Sequence, residues 1–560
     1  MSASDKKKLR KEQTAAATTE KQRTEQKQQK KLKAYSLTFI VAMILVVATV
    51  LVATLQTPVK NVMMRNTTSV TINNHEISAA EFNYFYVDAI SNFYSTFDSY
   101  GQNKDIYFQL YYGFYPNKPL DDQVFDKEKN TTWADHFMET GIESAKWTYT
   151  MYDKAVAAGH KLTEDEQKTL DATSQYLGIY ASIYGYGSTD AYLKTIYGSA
   201  ATLDSYLAYS ERSALATSYA TAYMESLEFK DEDFRAHEKD KLVEFNSYTY
   251  ATYTFNVNTY LKGGTTTKDE NGKETTTYSD EEKKAAQEAA LAAAEEIAKG
   301  EYKEVLDLNG ALGMLFKSDD FDATKPESTA TEITRKLYSA LSISNEDMKK
   351  WVTDEERQLG DVKYFTNSTK TDDKETINSY TVVLFLDRFD NKIPVGTVRH
   401  LLVKFEGGTK DKETNQTVYS DAEKAKAKEE AEKLLKEFQE GEKVTEEAFI
   451  ELVKKHSDDT GSKDNGGLIE KITPDSGYVK SFTEWGIAEH KAGDVEIIES
   501  EYGYHIMYYV EADELNYRDM MINAELVSDA YKAWEEETLK ATTVTKGDMK
   551  FLNRDYVIAG

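Results

Sequence analysis

Eight histidines and no cysteine in 560 residues confine the chemistry this chain can do. Without a thiol there is no cysteine nucleophile, no Cys-ligated zinc and no disulfide. The sequence holds no G-x-S-x-G, P-loop, G-x-G-x-x-G or H-E-x-x-H motif. Nucleophile-elbow acyl transfer, Walker-type phosphate binding, dinucleotide binding and zincin chemistry therefore have no residues to carry them. His75, His136, His160, His237, His456 and His490 have no metal-ligand spacing. Two histidines remain, His400 in Arg399-His400-Leu401-Leu402-Val403 and His505 in Tyr502-Gly503-Tyr504-His505-Ile506, with Asp459 between them in Ser457-Asp458-Asp459. Taken singly, a histidine followed by apolar residues is ordinarily a satisfied structural residue. An aspartate in such a stretch is ordinarily a solvated turn residue. The loop 405–419 mixes Lys410 and Lys412 with Asp411 and Glu413, which gives no cationic pocket for a phosphate.

The elements that must position these residues come in two copies. Residues 263–282, GGTTTKDENGKETTTYSDEE, are echoed by residues 407–423, GGTKDKETNQTVYSDAE. Ser279 and Ser420 each stand three residues before a glutamate, the spacing of a helix capping box. Gly300 and Gly441 each follow that serine by 21 residues, where a helix-ending glycine is expected. Further matches are collinear: Phe316–Asp320 with Lys455–Asp459, Trp351 with Trp485, and Gly360-Asp361-Val362 with Gly493-Asp494-Val495. The expected strand Tyr380–Leu386 then matches Tyr504–Val510. We read two copies of one strand–helix–strand module.

The second copy resembles a parvulin-type peptidyl-prolyl isomerase domain. The resemblance covers roughly 395–510 and rests on the segments around His400, Asp459 and His505, on Gly466-Gly467-Leu468, on Phe482 and on Ala492-Gly493-Asp494. It implies a catalytic set of His400, Asp459 and His505 and an apolar proline seat of Leu468, Tyr478 and Phe482. The histidines would hydrogen-bond beneath the site and fix each other's tautomers, while Asp459 would face the substrate carbonyl. No cofactor or metal is implied. The chain departs from the family's common pattern at Tyr478 (Met), at Ile487 (Phe) and in a slightly longer stretch 469–477. In the first copy, superposing the Gly-Gly pairs sets Asn256 opposite His400, and superposing the last strands sets Thr381 opposite His505. Asp320 falls opposite Asp459. Lacking both imidazoles, the first copy reads as a degenerate module kept for binding, spacing or folding.

The wider arrangement resembles extracytoplasmic foldases of the PrsA and SurA type. Residues 1–33 hold eleven basic and four acidic side chains, whereas the whole chain carries −28. Tyr35–Leu55 is an uncharged run of 21 residues, matching the ~20 apolar residues that span a bilayer. The basic flank places the tail in the cytoplasm and the bulk of the chain outside it. An acidic chain of this kind is not built to neutralise nucleic-acid phosphates.

The fold expected is α+β. Residues 1–34 form a cytoplasmic tail, 35–56 a transmembrane anchor, and 57–245 a helical, aromatic-rich chaperone domain. Residues 246–392 form the degenerate parvulin-like module, 393–512 the isomerase, and 513–560 the C-terminal helices that complete the chaperone domain. Each module is expected to be a small antiparallel sheet with surrounding helices. The expected function is a membrane-anchored peptidyl-prolyl isomerase and chaperone acting on newly exported polypeptides with X–Pro bonds; the rival is a holdase with no useful isomerase activity. The arrangement is compatible with a homodimer.

Overall fold

The computed structural model describes Met43 and residues 57–558, except 269–271, 317–328, 372–373, 412–415 and 555. The anchor expected over 35–56 and Asp320 lie outside the described residues. Among the described residues no helix is long and apolar enough to cross a membrane. The chain divides into two compact units, residues 1–227 with 529–560, and residues 228–528.

The first unit begins with a hairpin, β1 (Thr68–Ile72) and β2 (His75–Ser78). Its turn uses Asn73 at φ +52°, a left-handed conformation that asparagine tolerates. Ser78 then caps α1 (Ala79–Ser95) by accepting the amide of Glu81. The spacing suggests a full capping box, but Glu81 turns its carboxylate away. It accepts from Tyr149 Oη at 2.6 Å and pairs with Arg212 at 2.5 Å. The next helices are α2 (Lys104–Tyr112), α3 (Trp133–Ala158), α4 (Glu164–Ile183), α5 (Thr189–Tyr197) and α6 (Leu203–Glu225). Helix α3 ends at Gly159, φ +65°. Inside it, a Cβ on Gly141 would lie 3.3 Å from the backbone of Phe85 and Tyr86, so a small residue there lets α1 and α3 approach closely. Phe82, Phe85, Ile142 and Tyr149 fill that seam. Phe108, Phe114, Trp133 and Phe137 form an aromatic core beside it.

The second unit opens with α7 (Asp231–Glu238) and then repeats one order of elements twice. The first module runs β3 (Ser247–Asn256), α8 (Asp280–Ala298), α9 (Val305–Phe316), β4 (Thr331–Leu337), α10 (Glu346–Thr353), β5 (Val362–Thr371) and β6 (Lys374–Phe389). The second runs β7 (Gly396–Lys404), α11 (Asp421–Gln439), α12 (Glu446–His456), β8 (Leu468–Ile472), α13 (Lys480–Gly486), β9 (Val495–Glu499) and β10 (Gly503–Ala512). The sheets have the same antiparallel topology, β4-β3-β6-β5 and β8-β7-β10-β9. Ser279 and Ser420 form the capping boxes their spacing suggests. Alternation along β7 and β10 sorts the second module into two faces. Leu401, Val403, Tyr504, Ile506 and Tyr508 pack on α11 and α12, whereas Val398, Met507 and Tyr509 pack with α13.

The last helix, α14 (Tyr517–Lys540), is followed by β11 (Val544–Lys546). Within the first unit β11 pairs antiparallel with β1, Val70 facing Lys546, so the sheet order is β11-β1-β2. Trp147 donates to Glu535 at 2.6 Å, and Arg554 reaches Asp135 at 2.8 Å.

Candidate active site

His400 lies on β7 and His505 on β10, both on the face that packs with α13. Their strands pair so that His400 faces Met507 and Leu402 faces His505. The two imidazoles therefore sit diagonally across one ladder, each 5% exposed. Their Nδ1 atoms are 3.2 Å apart. His400 Nε2 is 3.0 Å from Asp459 Oδ2 and 3.0 Å from Ser462 Oγ. His505 Nε2 is 2.8 Å from Ser500 Oγ.

These partners define one proton arrangement. An ionised carboxylate only accepts, so His400 donates from Nε2 to Asp459 and must accept at Nδ1. His505 then donates from Nδ1 and accepts at Nε2 from the Ser500 hydroxyl. The relay Ser500–His505–His400–Asp459 is complete with both rings neutral. The electrostatics agree. Burial, and then the neighbouring His400, push the His505 imidazole down to about 4. Burial lowers His400 as well, against the opposing pull of Asp459. Burial alone would raise the Asp459 carboxyl, but the Ser462 hydroxyl, the Gly461 amide and His400 hold it below its usual value.

Asp459 follows α12 in a tight turn. Its Oδ1 accepts the Gly461 amide at 3.1 Å, and its Oδ2 accepts the Ser462 hydroxyl. The side chain remains 31% exposed, so a ligand can reach it. Phe482, on α13, meets His400 edge-on at 5.1 Å between ring centres and His505 at 5.6 Å. Tyr478 lies 5.2 Å from Phe482 and is 44% exposed, forming a lip.

Leu468 is not brought to this face. It pairs with Arg399, and directly paired residues in an antiparallel ladder share a face. Arg399 is on the α12 side, bound to Glu446 at 2.6 Å. The next residue, Ile469, pairs with Val398 and packs in the cluster that holds Phe482. The apolar floor is thus Phe482 with Ile469 rather than Leu468. The strand begins immediately after Gly467, where a Cβ would lie 2.2 Å from the His400 carbonyl. Ser462 and Ser500 were also missed. Serine is common in turns, and only its place three residues after Asp459 could have flagged Ser462. Among the described residues no group of His, Asp and Glu could hold a metal ion.

With this geometry in place, comparison with known proteins is specific. Residues 400–511 match the Rotamase family, a PPIC-type PPIase domain. Foldase protein PrsA 3 of Bacillus anthracis is 34% identical over 121 residues, 19% of this chain and 41% of that protein. Foldase protein PrsA 1 of Listeria monocytogenes is 28% identical over 240 residues, 38% of this chain and 71% of that protein. Foldase protein PrsA of Clostridium kluyveri is 28% identical over 137 residues, and the chain covers only 39% of its length. A crystal structure of PrsA from Bacillus subtilis has 25% identity, covers 26% of this chain and 47% of that one, and gives a TM-score of 0.15. The chain carries a PPIC-type PPIase domain and is a relative of PrsA foldases over part of its length.

Proposed function

We propose that the second module catalyses cis–trans isomerisation of X–Pro bonds and that the whole chain is a foldase, with the first unit holding unfolded polypeptide. The observation that carries this is the neutral histidine pair ending on a half-exposed carboxylate beside Phe482, inside the matched segment. Rotation about X–Pro is slow because amide resonance must be broken, at a barrier of ~18–20 kcal/mol. Resonance places negative charge on the carbonyl oxygen. An ionised Asp459 next to that oxygen opposes the planar form and so favours the twisted one, which is what a catalyst of this step must do. Phe482 and Ile469 seat the proline ring and keep water off the amide. The histidines touch neither bond; they hold Asp459 in place and charged.

The first unit suits a holding role. Tyr176, Ile179, Tyr180, Ile183 and Tyr184 are exposed at helical spacing along and just beyond α4. Contiguous exposed apolar surface of this kind marks a binding surface. Clients would be newly exported polypeptides, with the chain anchored through 35–56 and its bulk extracytoplasmic.

A protease-free isomerisation assay on an X–Pro peptide tests the enzyme. The chain should accelerate an exchange that otherwise takes tens of seconds or longer, and Asp459→Asn should remove most of the acceleration. Exchange as slow as without protein would leave only the holding role. Protease added to intact cells should remove residues beyond 60 and spare the tail; a protected bulk would refute the topology.

A further inference from the structure

The first module keeps a groove where the second keeps its histidines. Val362 pairs with Leu384 and Val495 with Tyr508, each following a Gly-Asp pair. Counting from these anchors sets Thr381 at the place of His505 and Asn367 at that of Ser500. Across the sheet Thr381 pairs with Thr254, as His505 pairs with Leu402. Thr252, not Asn256, therefore occupies the His400 position. Trp351 and Trp485 set Met348 at the place of Phe482, and Ile333 pairs with Tyr250 as Ile469 does with Val398.

The equivalent of the histidine relay survives without a titratable group. Asn367 Nδ2 donates to Thr381 Oγ1 at 2.9 Å and to Ser379 Oγ at 3.1 Å, and Thr381 meets Thr254 at 2.8 Å. The Thr252 hydroxyl lines the groove. Beneath these hydroxyls Ile333, Met348 and Tyr250 form an apolar floor. The cavity has a volume of about 800 Å³, within the usual range for ligand sites. One wall is β4, which among the described residues is the edge strand of its sheet and pairs only with β3.

We propose that this groove is a second polypeptide-binding site that does not isomerise. It takes an extended segment along β4, with one apolar side chain on the Ile333–Met348 floor and no requirement for proline. A free strand edge offers main-chain hydrogen bonds to an extended peptide, and a pocket beside it takes alternate side chains. The hydroxyls and amides above the floor satisfy further peptide groups, and among the described residues their hydrogen bonds end on no carboxylate held in place to oppose amide resonance. Binding without turnover follows. The inference rests on the isomerase reading only through the equivalence of the two grooves.

The absence of cysteine makes a local probe simple. Ser344, exposed at the groove's rim, is replaced in the full chain (Ser344→Cys) and labelled with an environment-sensitive fluorophore. A control carries the same label at Glu442→Cys, beyond α11. The probe ligand is a proline-free 12-residue peptide alternating threonine and leucine. A saturable response is expected at 344 and none at 442. Met348→Trp, which fills the floor, should weaken it at least tenfold. Ser342→Trp, which blocks the mouth from an exposed position and leaves the core intact, should do the same. Both should leave X–Pro isomerisation unchanged. No saturable response at 344, or one that survives both tryptophans in a folded chain, would overturn the site. Loss of isomerisation in an otherwise peptide-binding chain would instead count against the enzyme reading alone.

Discussion

At the scale of residues, the proposed site pairs two imidazoles whose pKa values are lowered with one carboxylate held below its usual value. Asp459→Asn keeps the shape and removes the charge, so isomerisation should fall by at least tenfold while the far-UV spectrum stays unchanged. Ser462→Ala should lower activity less, because His400 and the Gly461 amide still hold the carboxylate. The histidines predict a pH dependence of stability. An ordinary histidine titrates near 6.5, and burial pushes folded His505 down to about 4, so between these values the unfolded chain binds more protons. Stability of the module should thus be complete above about pH 6.5 and fall as pH drops toward 4, by about 3 kcal/mol from His505 alone. His400 is lowered too and adds to the same trend. Melting curves across that range, compared with His505→Gln, check the sign. That His400, Asp459 and His505 would come together was legible because two histidines and an aspartate in collinear motifs are distinctive. Leu468 misled because a motif names a neighbourhood, whereas the pleat decides which of two adjacent residues faces inward.

At the scale of elements, glycine and register matter most. Gly467 sits at φ +73° with no room for a Cβ against the His400 carbonyl. Gly467→Ala should destabilise the second module by more than about 2 kcal/mol, through backbone strain and overpacking together. Activity lost there should follow the unfolded fraction in a denaturant titration, unlike the loss from Asp459→Asn. The repeat itself was legible from caps and glycines, because those residues report local backbone needs. Its register was not. Matching the Gly-Gly pairs set Asn256 at the His400 position, four residues from Thr252, since loops change length between copies while ladder pairs do not. Buried Arg518 has no sequence signal. It donates to Glu238 at 2.7 Å and Asn246 at 2.8 Å, and to the carbonyls of Asp390 and Leu242 at 3.0 Å. Removing it would leave buried Glu238 held by Arg235 alone and take the guanidinium from Asn246 and two carbonyls, so Arg518→Met should cost roughly 1–3 kcal/mol in the second unit, measured by thermal unfolding.

At the scale of the whole molecule, the first unit is assembled from both ends of the described chain, so its stability depends on residues far away in sequence. Val70 and Ile72 on β1 are fully buried, yet among the described residues β1 pairs with only β2 and β11. Without β11 the sheet is a single hairpin, which is at best marginal in water. The same C-terminal segment supplies Glu535 to Trp147, stacks Trp534 on Tyr223 at 4.0 Å, and places Arg554 between Asp121 and Asp135. Ending the chain at residue 528 removes all of these at once and leaves every residue of the 400–511 match in place. The expected outcome is that residues 57–227 become sensitive to limited proteolysis and stop slowing aggregation of an unfolded client. X–Pro isomerisation by the same truncated chain should persist. Arg554→Ala alone should be milder, leaving two carboxylates unpaired but the sheet intact. If residues 57–227 stay protease-resistant after truncation, the last strand and helix are an attachment to the first unit rather than part of its core.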